Sequence, residues 1–421
     1  MAGETPNLHL SFFPNNIMPD FIPLSFASYD WQRPDINPEQ VCAPPYDVLS
    51  PEQRAQLAAG NPYNLVHVDL PTSYAHAGHI LTQWRAQRVL KKADHPLFAA
   101  LASRYTLDGR EYLRWGFMGG LGLADWGQDG VYPHEQTYPK AKTDRLELMR
   151  ATSAQLSPIF GVFDFAGGEL QAVCDELAQH PPLVLLPVDG VEHRLWVVTA
   201  RHAGLITKIL RNVNVYIADG HHRYETALSY AQEQGRPGPW DHVFACLCNI
   251  SSPGLKILPY HRLVTSPAPH PWPNILQRAA QWFTIREVES IDTLQQDDTP
   301  SSCLLQLPGV LRLLTLKNTH IGQCDPLFRD IGAYILDTFF FRQAMGLTDT
   351  DLAGGEHLAY TPFEDHAAEK VNQGLAQAAL LLKPVNMAIL RRVSESGRLM
   401  PRKSTFFHPK IPGGLLFHLL D

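Results

Sequence analysis

Residues 213–234 have the sequence VNVYIADGHHRYETALSYAQEQ, which predicts a strand, a tight turn and a helix in immediate succession. The apolar run at 213–218 is typical of a buried strand, and the helix formers at 224–234 stop at Gly235. Between the two elements stands Gly220, which has no Cβ and therefore permits a sharp backbone turn. The segment thus brings Asp219 to the carboxyl end of a strand and His221 to the first turn of a helix.

This turn predicts an anion site. The first turn of a helix has unpaired backbone N–H groups and the positive end of the helix dipole, and His221, His222 and Arg223 add side-chain donors there. One interpretation is a phosphate cradle with the carboxylate of Asp219 at its edge. Another makes Asp219 the helix N-cap and the histidines ordinary surface groups. A third is a metal site, since His222 and Glu225 share a helical face and Asp219 could add a ligand.

Length and composition bound the class of protein. With 421 residues, 45% apolar and 18% charged, the chain is globular and has room for two to three domains of about 150 residues. The formal net charge of -7 argues against binding to extended nucleic acid. Six cysteines without a C-x-x-C pair favour a reducing, cytoplasmic location over a disulfide scaffold or a zinc knuckle. We expect neither a signal peptide nor a membrane span, because no apolar run reaches about 18 residues.

The pattern of predicted elements favours an α+β fold, because strands and helices mix without a regular βαβ rhythm. Within it we expect a strand at 65–70, a helix at 74–92 and a hairpin turning at Asp108–Gly109. Four prolines between 267 and 273 suggest a linker. The predicted divisions are an irregular arm over 1–20, an α/β core over 21–264, a small α+β insert over 265–325 and a C-terminal segment over 326–421 that packs back on the core.

A basic stretch lies near the C-terminus. Residues 383–410 contain seven lysines and arginines and one acid, Glu395, so this stretch carries +6 and the rest of the chain -13. A solvated surface would explain such a run. Hydroxyl groups beside the charges form the mixture that binds phosphate, however. The predicted phosphate-binding residues of this stretch are Arg402, Lys403, Ser404 and Thr405.

A polar loop supplies the third candidate. His134 and Glu135 are residue types used for general acid–base catalysis, and they precede a charged segment that includes Lys140 and Arg145. An exposed charged helix accounts for most of that segment equally well. Glu135 is the more informative residue, because reactive groups are often placed on loops.

The fourth candidate is the loop that contains Tyr46 and Asp47. Pro44 and Pro45 restrict its backbone, so it could hold these two side chains at the edge of a site at little entropic cost. A rigid turn that only closes the sheet is an equal alternative.

Five separated segments resemble, in chain order, the motifs of the bacterial uncharacterised-domain family numbered 1015. Because they span nearly the whole chain in the right order, the resemblance is specific. The segments are VCAPPYDVLS at 41–50, His134–Glu135 with Lys140 and Asp144–Arg145, LSPIF at 156–160, ADGHHRYETA at 218–227 and MPRKSTFFHPK at 400–410.

The ADGHHR segment also resembles the motif of the ParB/sulfiredoxin superfamily, whose members bind nucleotides, and especially that of its free-serine kinases. This resemblance implies a mixed-sheet core of that type, with the insert and the C-terminal segment as elaborations. It implies a catalytic or metal-organising Asp219, phosphate contacts from Gly220 to Arg223 including a catalytic His221, and a nucleotide, ATP or ADP, with Mg²⁺. It also implies an upstream glutamate base, for which Glu135 is the best-situated candidate.

The leading hypothesis is therefore a nucleotide-dependent phosphotransferase or phosphohydrolase that acts on a small hydroxy-amino acid, such as serine, or on its phosphate. The expected partner is a nucleotide or small phosphorylated metabolite, and homo-oligomerisation is left open. One alternative is a ParB-like nucleotide-binding switch without metabolite chemistry, and another is a metal-dependent hydrolase. The residues expected to bind the substrate are Tyr46, Asp47, His134, Lys140 and Arg145.

Overall fold

The computed structural model describes residues 20–127, 129–137, 139–355 and 357–421, so the predicted arm lies outside the described residues except for Asp20. The side chains of residues 139–141 and 353–354 also lie outside them. The chain forms two compact units. The first unit contains the described residues up to Pro133, Thr137–Leu255 and Pro409–Asp421, and the second contains His134–Gln136 and Lys256–His408.

The strands are, in chain order, β1 (Phe21–Ile22), β2 (Ala27–Tyr29), β3 (Leu90–Lys92), β4 (Ala99–Leu107), β5 (Arg110–Gly122), β6 (Val131–Tyr132), β7 (Ala154–Gln155), β8 (Ile159–Phe163), β9 (Val184–Val188), β10 (Val191–Val197), β11 (Val215–Asp219), β12 (His242–Asn249), β13 (Lys256–Leu258), β14 (His261–Val264), β15 (Phe283–Val288), β16 (Cys303–Leu307), β17 (Val310–Leu316), β18 (Leu358–Thr361), β19 (Ala378–Leu382), β20 (Phe406–His408) and β21 (His418–Leu419).

The helices are α1 (Pro38–Val41), α2 (Pro51–Gly60), α3 (Val66–Asp69), α4 (Tyr74–Ala86), α5 (Pro139–Thr152), α6 (Glu169–Leu177), α7 (Ala200–Leu210), α8 (His221–Gln234), α9 (Trp272–Trp282), α10 (Asp292–Gln296), α11 (Asn318–Ile321), α12 (Gly332–Ile335), α13 (Asp349–Gly354), α14 (Glu364–Asn372) and α15 (Met387–Glu395). A 3₁₀ turn covers Pro239–Asp241, and the π-helical segment Leu336–Met345 continues α12.

A large mixed sheet organises the first unit, and it confirms the predicted α+β class. Its strand order is β6-β11-β8-β12-β5-β4-β10-β9, with β1 also paired to β5. β11 runs parallel to β6 and β12 runs parallel to β8, while β11 is antiparallel to β8. The core packs the apolar sides of α6, α7 and α8 against one face of this sheet, through residues such as Val173, Ile206 and Tyr224. This packing fixes the start of α8 at the end of β11.

The second unit has its own six-stranded sheet, in the order β15-β17-β16-β19-β14-β18. β16 lies in the predicted insert, yet it pairs antiparallel with β19 of the predicted C-terminal segment. These two segments therefore share one sheet and one apolar core, which includes Leu304 and Leu381. The unit boundary falls at 255/256 and not at the prolines of 267–273, because β13 and β14 already pair with strands of the second unit.

Two local predictions were wrong. The segment at 65–70 is not a strand: Val66–Asp69 is helical, because the Asn64 side chain accepts a hydrogen bond from the Val66 N–H (3.0 Å) and starts the turn. The helix predicted at 74–92 ends at Ala86. Arg88 has a φ of 55°, which no helix continues, and the chain then enters β3.

Two further expectations concern cysteines and membranes. The six cysteines are buried free thiols. Burial raises the pKa of Cys246 to about 12 and that of Cys248 to about 11, so both are inert core groups at neutral pH. No helix in the described part of the chain is long and apolar enough to cross a membrane.

Candidate active site

The strand, turn and helix around Asp219 form as the sequence predicts. β11 ends at Asp219, Gly220 follows with a φ of 89°, and α8 begins at His221. The Gly220 carbonyl accepts the N–H of Tyr224 (2.9 Å), which closes the first turn. A Cβ at Gly220 would lie 2.9 Å from Nε of Arg223. The turn therefore needs glycine both for its left-handed backbone and for the close approach of Arg223.

Asp219 is not the N-cap of α8, because Gly220 occupies that position. Instead, Oδ2 of Asp219 accepts a hydrogen bond from Nη2 of Arg223 (2.7 Å), and Oδ1 accepts one from Nζ of Lys410. All three side chains are mostly buried. Burial alone would raise the pKa of Asp219, but the positive charges of Lys410 and Arg223 outweigh it and hold that pKa well below its usual range.

Lys410 is a site residue that the sequence analysis missed, although it ends the fifth motif and belongs to the basic stretch. Residues 409–421 return to the first unit, where Gly413 exchanges backbone hydrogen bonds with Ala43 and His418 pairs with Gln155. This return brings Nζ of Lys410 to Asp219. The sequence did contain a signal for such a partner. Asp219 ends a strand predicted to be buried, and a buried carboxylate requires a group of opposite charge beside it.

A second charged cluster joins three more chain segments. Arg145, on α5, is buried, and its Nη1 donates to Oδ1 of Asp69 (3.0 Å) and to the Asp69 carbonyl (2.9 Å). Its Nε donates to Asp144 (2.8 Å), and its Cζ lies 4.2 Å from the centroid of the Tyr46 ring. Burial raises the pKa of Tyr46 to about 12, so its hydroxyl stays protonated. Asp69 was missed because residues 65–70 were predicted as a strand.

A small cavity connects the two clusters. Its volume is about 50 Å³, and both Arg145 and Arg223 line it. An open groove of about 550 Å³ shares Tyr46 and Arg145 with this cavity, and it also contacts Arg54 and Tyr74. The first unit thus brings together three predicted residues, Tyr46, Arg145 and Arg223, around one small cavity, whose remaining lining is largely apolar. The other polar residues that line the small cavity are Asp69, Gln155, Ser157 and Thr226.

The predicted residues of the second unit form a group of their own. His134 is buried, its Nε2 lies 2.8 Å from Oγ1 of Thr405, and its carbonyl accepts the N–H of Met400 (2.9 Å). The Ser404 hydroxyl donates to the Pro401 carbonyl. Nζ of Lys403 lies 4.8 Å from the centroid of the Tyr260 ring. His134 and the 400–405 segment are therefore neighbours, while the catalytic role of Glu135 and the phosphate contacts of Arg402 and Lys403 stay predictions.

The four remaining predicted residues differ in how far their side chains are buried or described. His221 is buried, with its ring 6.3 Å from that of Trp126. His222 is partly exposed on the first turn of α8, and Asp47 is exposed. Lys140 lies in α5, but its side chain is outside the described residues.

Both carboxylates proposed as metal ligands already bind hydrogen-bond donors through each of their oxygens. Oε1 of Glu225 accepts from Nε1 of Trp126 (2.8 Å), and Oε2 accepts from Thr137 (2.6 Å) and pairs with Lys142 (2.8 Å). Both oxygens of Asp219 contact cations. No group of three histidine, cysteine, aspartate or glutamate side chains among the described residues could hold a metal ion. These residues do not fit a protein-held metal, as a metal-dependent hydrolase would require.

Comparison with known families agrees with the motif pattern. The family model described as "Protein of unknown function (DUF1015)" matches residues 24–334. The chain belongs to this family. The predicted resemblance to this family is thereby confirmed, over a range that contains the first four of the five motifs. No curated protein shows significant sequence similarity to the chain.

Several solved structures are similar at low identity. A free serine kinase in complex with AMP is 12% identical with a TM-score of 0.37, over 66% of this chain and 84% of that one. SbnI with a C-terminal truncation, from Staphylococcus aureus, is 10% identical with a TM-score of 0.38, over 70% and 84%. A conserved hypothetical protein from Pyrococcus furiosus is 13% identical with a TM-score of 0.36, over 68% and 90%.

Proposed function

We propose that the first unit binds the phosphates of a nucleotide at the start of α8 and transfers a phosphoryl group to or from a small hydroxy-amino acid. The observation that carries this proposal is the position of Asp219 between Lys410 and Arg223, directly before the first turn of α8. Serine and phosphoserine are the first substrates to test, because the ADGHHR segment resembles that of the free-serine kinases.

The cationic side chains of this group support an anionic ligand. Lys410 and Arg223 both contact Asp219, and Arg223 also donates to the carbonyl of Pro158, so two cationic side chains meet beside the first turn of α8. The free N–H groups and the dipole of α8 add positive potential. Two opposite unit charges about 4 Å apart attract each other by about 4 kcal/mol at an effective dielectric constant of about 20. A phosphate held there would be attracted by these two side chains and by the N–H groups of the first turn.

Phosphoryl transfer suits such a group, because catalysis of this reaction consists mainly of positioning and of neutralising charge. Asp219 stays ionised and holds both cations, so we assign it the role of orienting Lys410 and Arg223 toward the phosphates. Any Mg²⁺ would then be bound through the oxygens of the nucleotide phosphates, as is usual for this ion, and not by Asp219. Glu135 is our candidate for the general base.

Phosphorus NMR tests the proposal directly. The protein is incubated with serine and Mg·ATP or Mg·ADP, and separately with phosphoserine, and the products are followed. We expect one of these substrates to be converted by the wild type and by Arg236→Gln, a control whose guanidinium lies 4.8 Å from the Trp240 ring beyond the far end of α8. Arg223→Gln should lose the activity.

Folded wild-type protein that converts none of these substrates contradicts the proposal. If it nevertheless binds the nucleotide, a nucleotide-dependent switch becomes the better account, and sizing chromatography with each nucleotide would then show a change in oligomeric state.

A further inference from the structure

Arg114, on β5, is a buried cation that the proposed phosphate site has not yet accounted for. Its side chain is only 2% exposed, and neither Nη1 nor Nη2 has a hydrogen-bond partner among the residues that the structure describes. Its Cζ lies 4.7 Å from the centroid of the Phe160 ring. Arginines are almost never fully buried unless they are paired, and a guanidinium cannot lose its proton in a protein. The first unit therefore holds a permanent positive charge that is unpaired within the described part of the chain.

The polar groups beside Arg114 on its face of the sheet are neutral. Ser103, which pairs with Arg114 across β4 and β5, bonds to Nδ1 of His193 (2.9 Å). Burial lowers the pKa of His193 to about 3, and the charge of Arg114 acts in the same direction, so this imidazole is uncharged at neutral pH. The hydroxyl of Tyr105 donates to the carbonyl of Gly254 (3.0 Å). None of these groups supplies a negative charge that would balance Arg114.

Phe160 connects this charge to the proposed phosphate site. It lies on β8, where its Cα pairs with that of Asp219 on β11. Because the guanidinium stacks on this ring and paired strands lie about 5 Å apart, the charge of Arg114 lies on the order of 10 Å from Asp219. Burial lowers the pKa of Arg114, and the charge of Asp219 acts in the opposite direction. Asp219 already contacts Lys410 and Arg223, so Arg114 adds positive charge that this carboxylate does not neutralise.

The charge of Arg114 can act on a ligand only through space. Nη1 and Nη2 have almost no accessible surface, so a ligand in solution cannot reach them for a hydrogen bond. Electrostatic attraction does not need contact, however. At a separation of about 10 Å and an effective dielectric constant of about 20, one unit charge changes the affinity for an opposite unit charge by about tenfold. An effect of this size is measurable.

We propose that Arg114 supports the phosphate site from beneath the sheet: its buried, unpaired charge attracts the nucleotide phosphates to the start of α8 without touching them. This inference rests on the proposed function, because it requires an anionic ligand beside Asp219. It does not require phosphoryl transfer, so nucleotide binding and turnover test the two separately.

Calorimetry with ADP and AMP tests this role. Arg114→Met removes the charge and keeps an unbranched apolar side chain at the position. We expect ADP to bind about tenfold or more weakly, and AMP to lose less, because ADP carries more negative charge. The free variant should melt at a temperature equal to or above that of the wild type, since it no longer buries an unpaired charge. An arginine that only packed the sheet would predict a lower melting temperature and an equal loss for both nucleotides.

The matched control is Arg236→Met, which removes another arginine that stacks on an aromatic ring, in this case that of Trp240 at 4.8 Å. Because Arg236 lies beyond the far end of α8, both nucleotides should bind this variant as they bind the wild type. Arg114→Gln provides a second neutral variant, in case methionine disturbs the packing beside Phe160. It should show the same preferential loss of ADP affinity.

The outcomes separate this inference from the proposed function. ADP affinity that is the same in the wild type, Arg114→Met and Arg114→Gln overturns the role of Arg114 alone. An equal loss for ADP and AMP together with a lower melting temperature also overturns it, and assigns Arg114 to packing. A wild type that binds ADP without turnover, and loses ADP affinity preferentially in the two variants, supports the role of Arg114 and overturns phosphoryl transfer. A wild type that binds neither nucleotide overturns both.

Discussion

Nζ of Lys410 donates a hydrogen bond to Oδ1 of Asp219, a residue 191 positions earlier in the chain. Arg223 holds the other oxygen of the same carboxylate at 2.7 Å. The group is therefore completed only when residues 409–421 have returned to the first unit beside β7 and Ala43. This relationship makes the candidate site depend on the C-terminal segment of the chain.

Removing the lysine should destabilise the protein. Lys410→Met leaves the mostly buried Asp219 with Arg223 as its remaining contact cation, and breaking a buried ion pair costs about 3 kcal/mol. Urea unfolding of Lys410→Met, Asp219→Asn and the double variant measures this. The double variant should be at least about 1 kcal/mol more stable than the sum of the single effects predicts. Additive losses would show that the two side chains are not coupled.

The glycine before α8 should matter for ligand binding and not only for the backbone. Gly220→Ala places a Cβ 2.9 Å from Nε of Arg223 and should displace this guanidinium. Gly235→Ala is the matched control, because Gly235 ends the same helix with a φ of 64° and has nothing within 4 Å of the point where a Cβ would lie. Both variants should lose about 1–2 kcal/mol of stability. Calorimetry should show weaker ADP binding in Gly220→Ala alone, and equal ADP affinity in both would contradict the proposed site.

The stability of the protein should fall in mild acid. Burial lowers the pKa of His193 and His261 to about 3 and that of His418 to about 4, from about 6.5 in an unfolded chain. Below about pH 6.5 the unfolded state binds protons that the folded state does not, so stability decreases as the pH falls toward 4. For each of these histidines, the free energy of unfolding decreases by about 1.4 kcal/mol per pH unit as the pH falls through that range.

Asp219 should also make the protein less stable in acid, but at a lower pH than the histidines do. Its pKa is depressed in the folded protein, so its contribution is complete above about pH 4 and is lost as the pH falls below that value. Urea unfolding at about pH 7 and about pH 5 checks the histidine effect. In His193→Asn the amide can still bond to Ser103, but the titrating imidazole is gone. The free energy of unfolding should therefore change less between the two pH values than in the wild type, by about the contribution of one histidine. An unchanged difference would show that His193 is not buried in its neutral form.

Arg145 and Asp69 should be energetically coupled. Because both side chains are buried, Arg145→Met leaves the Asp69 carboxylate without its contact cation, which costs about 3–5 kcal/mol. Asp69→Asn should cost less, because Arg145 keeps its ion pair with Asp144 (2.7 Å). Arg145→Met with Asp69→Asn should restore part of this loss, and thermal or urea unfolding of the three variants measures it. Fully additive losses would contradict the pairing.

The role of Glu135 as general base is testable without assuming its position. Glu135→Gln keeps the size of the side chain and removes its basicity, so a base at this position predicts a decrease in kcat of about 10²–10⁴-fold. ADP affinity should stay the same. An unchanged kcat would assign the base to another residue.

The sequence predicted the local features well for physical reasons. Asp108 and Gly109 form the hairpin turn between β4 and β5 with φ values of 51° and 70°, and this dipeptide favours such turns whatever surrounds it. Gly220 between an apolar strand and a helix is an equally local signal. The helix was wrongly predicted to continue through Arg88, because nothing in the neighbouring sequence indicates that this residue has a positive φ.

Long-range partners could not be predicted in the same way. Asp69 finds Arg145 and Asp219 finds Lys410 only through the packing of distant segments, and charge alone does not choose between many candidate cations. The sheet of the second unit was likewise unpredictable from local sequence. Cys303 pairs with Leu382, which lies 79 residues later, and the prolines that suggested a boundary give no information about this pairing.

A crystal structure of the protein grown with ADP tests the central claim most directly. We predict that a phosphate lies within about 3 Å of the Arg223 guanidinium and of backbone N–H groups in the first turn of α8, with Lys410 still beside Asp219. A nucleotide whose phosphates lie away from α8, for example against Arg54 in the open groove, would contradict it.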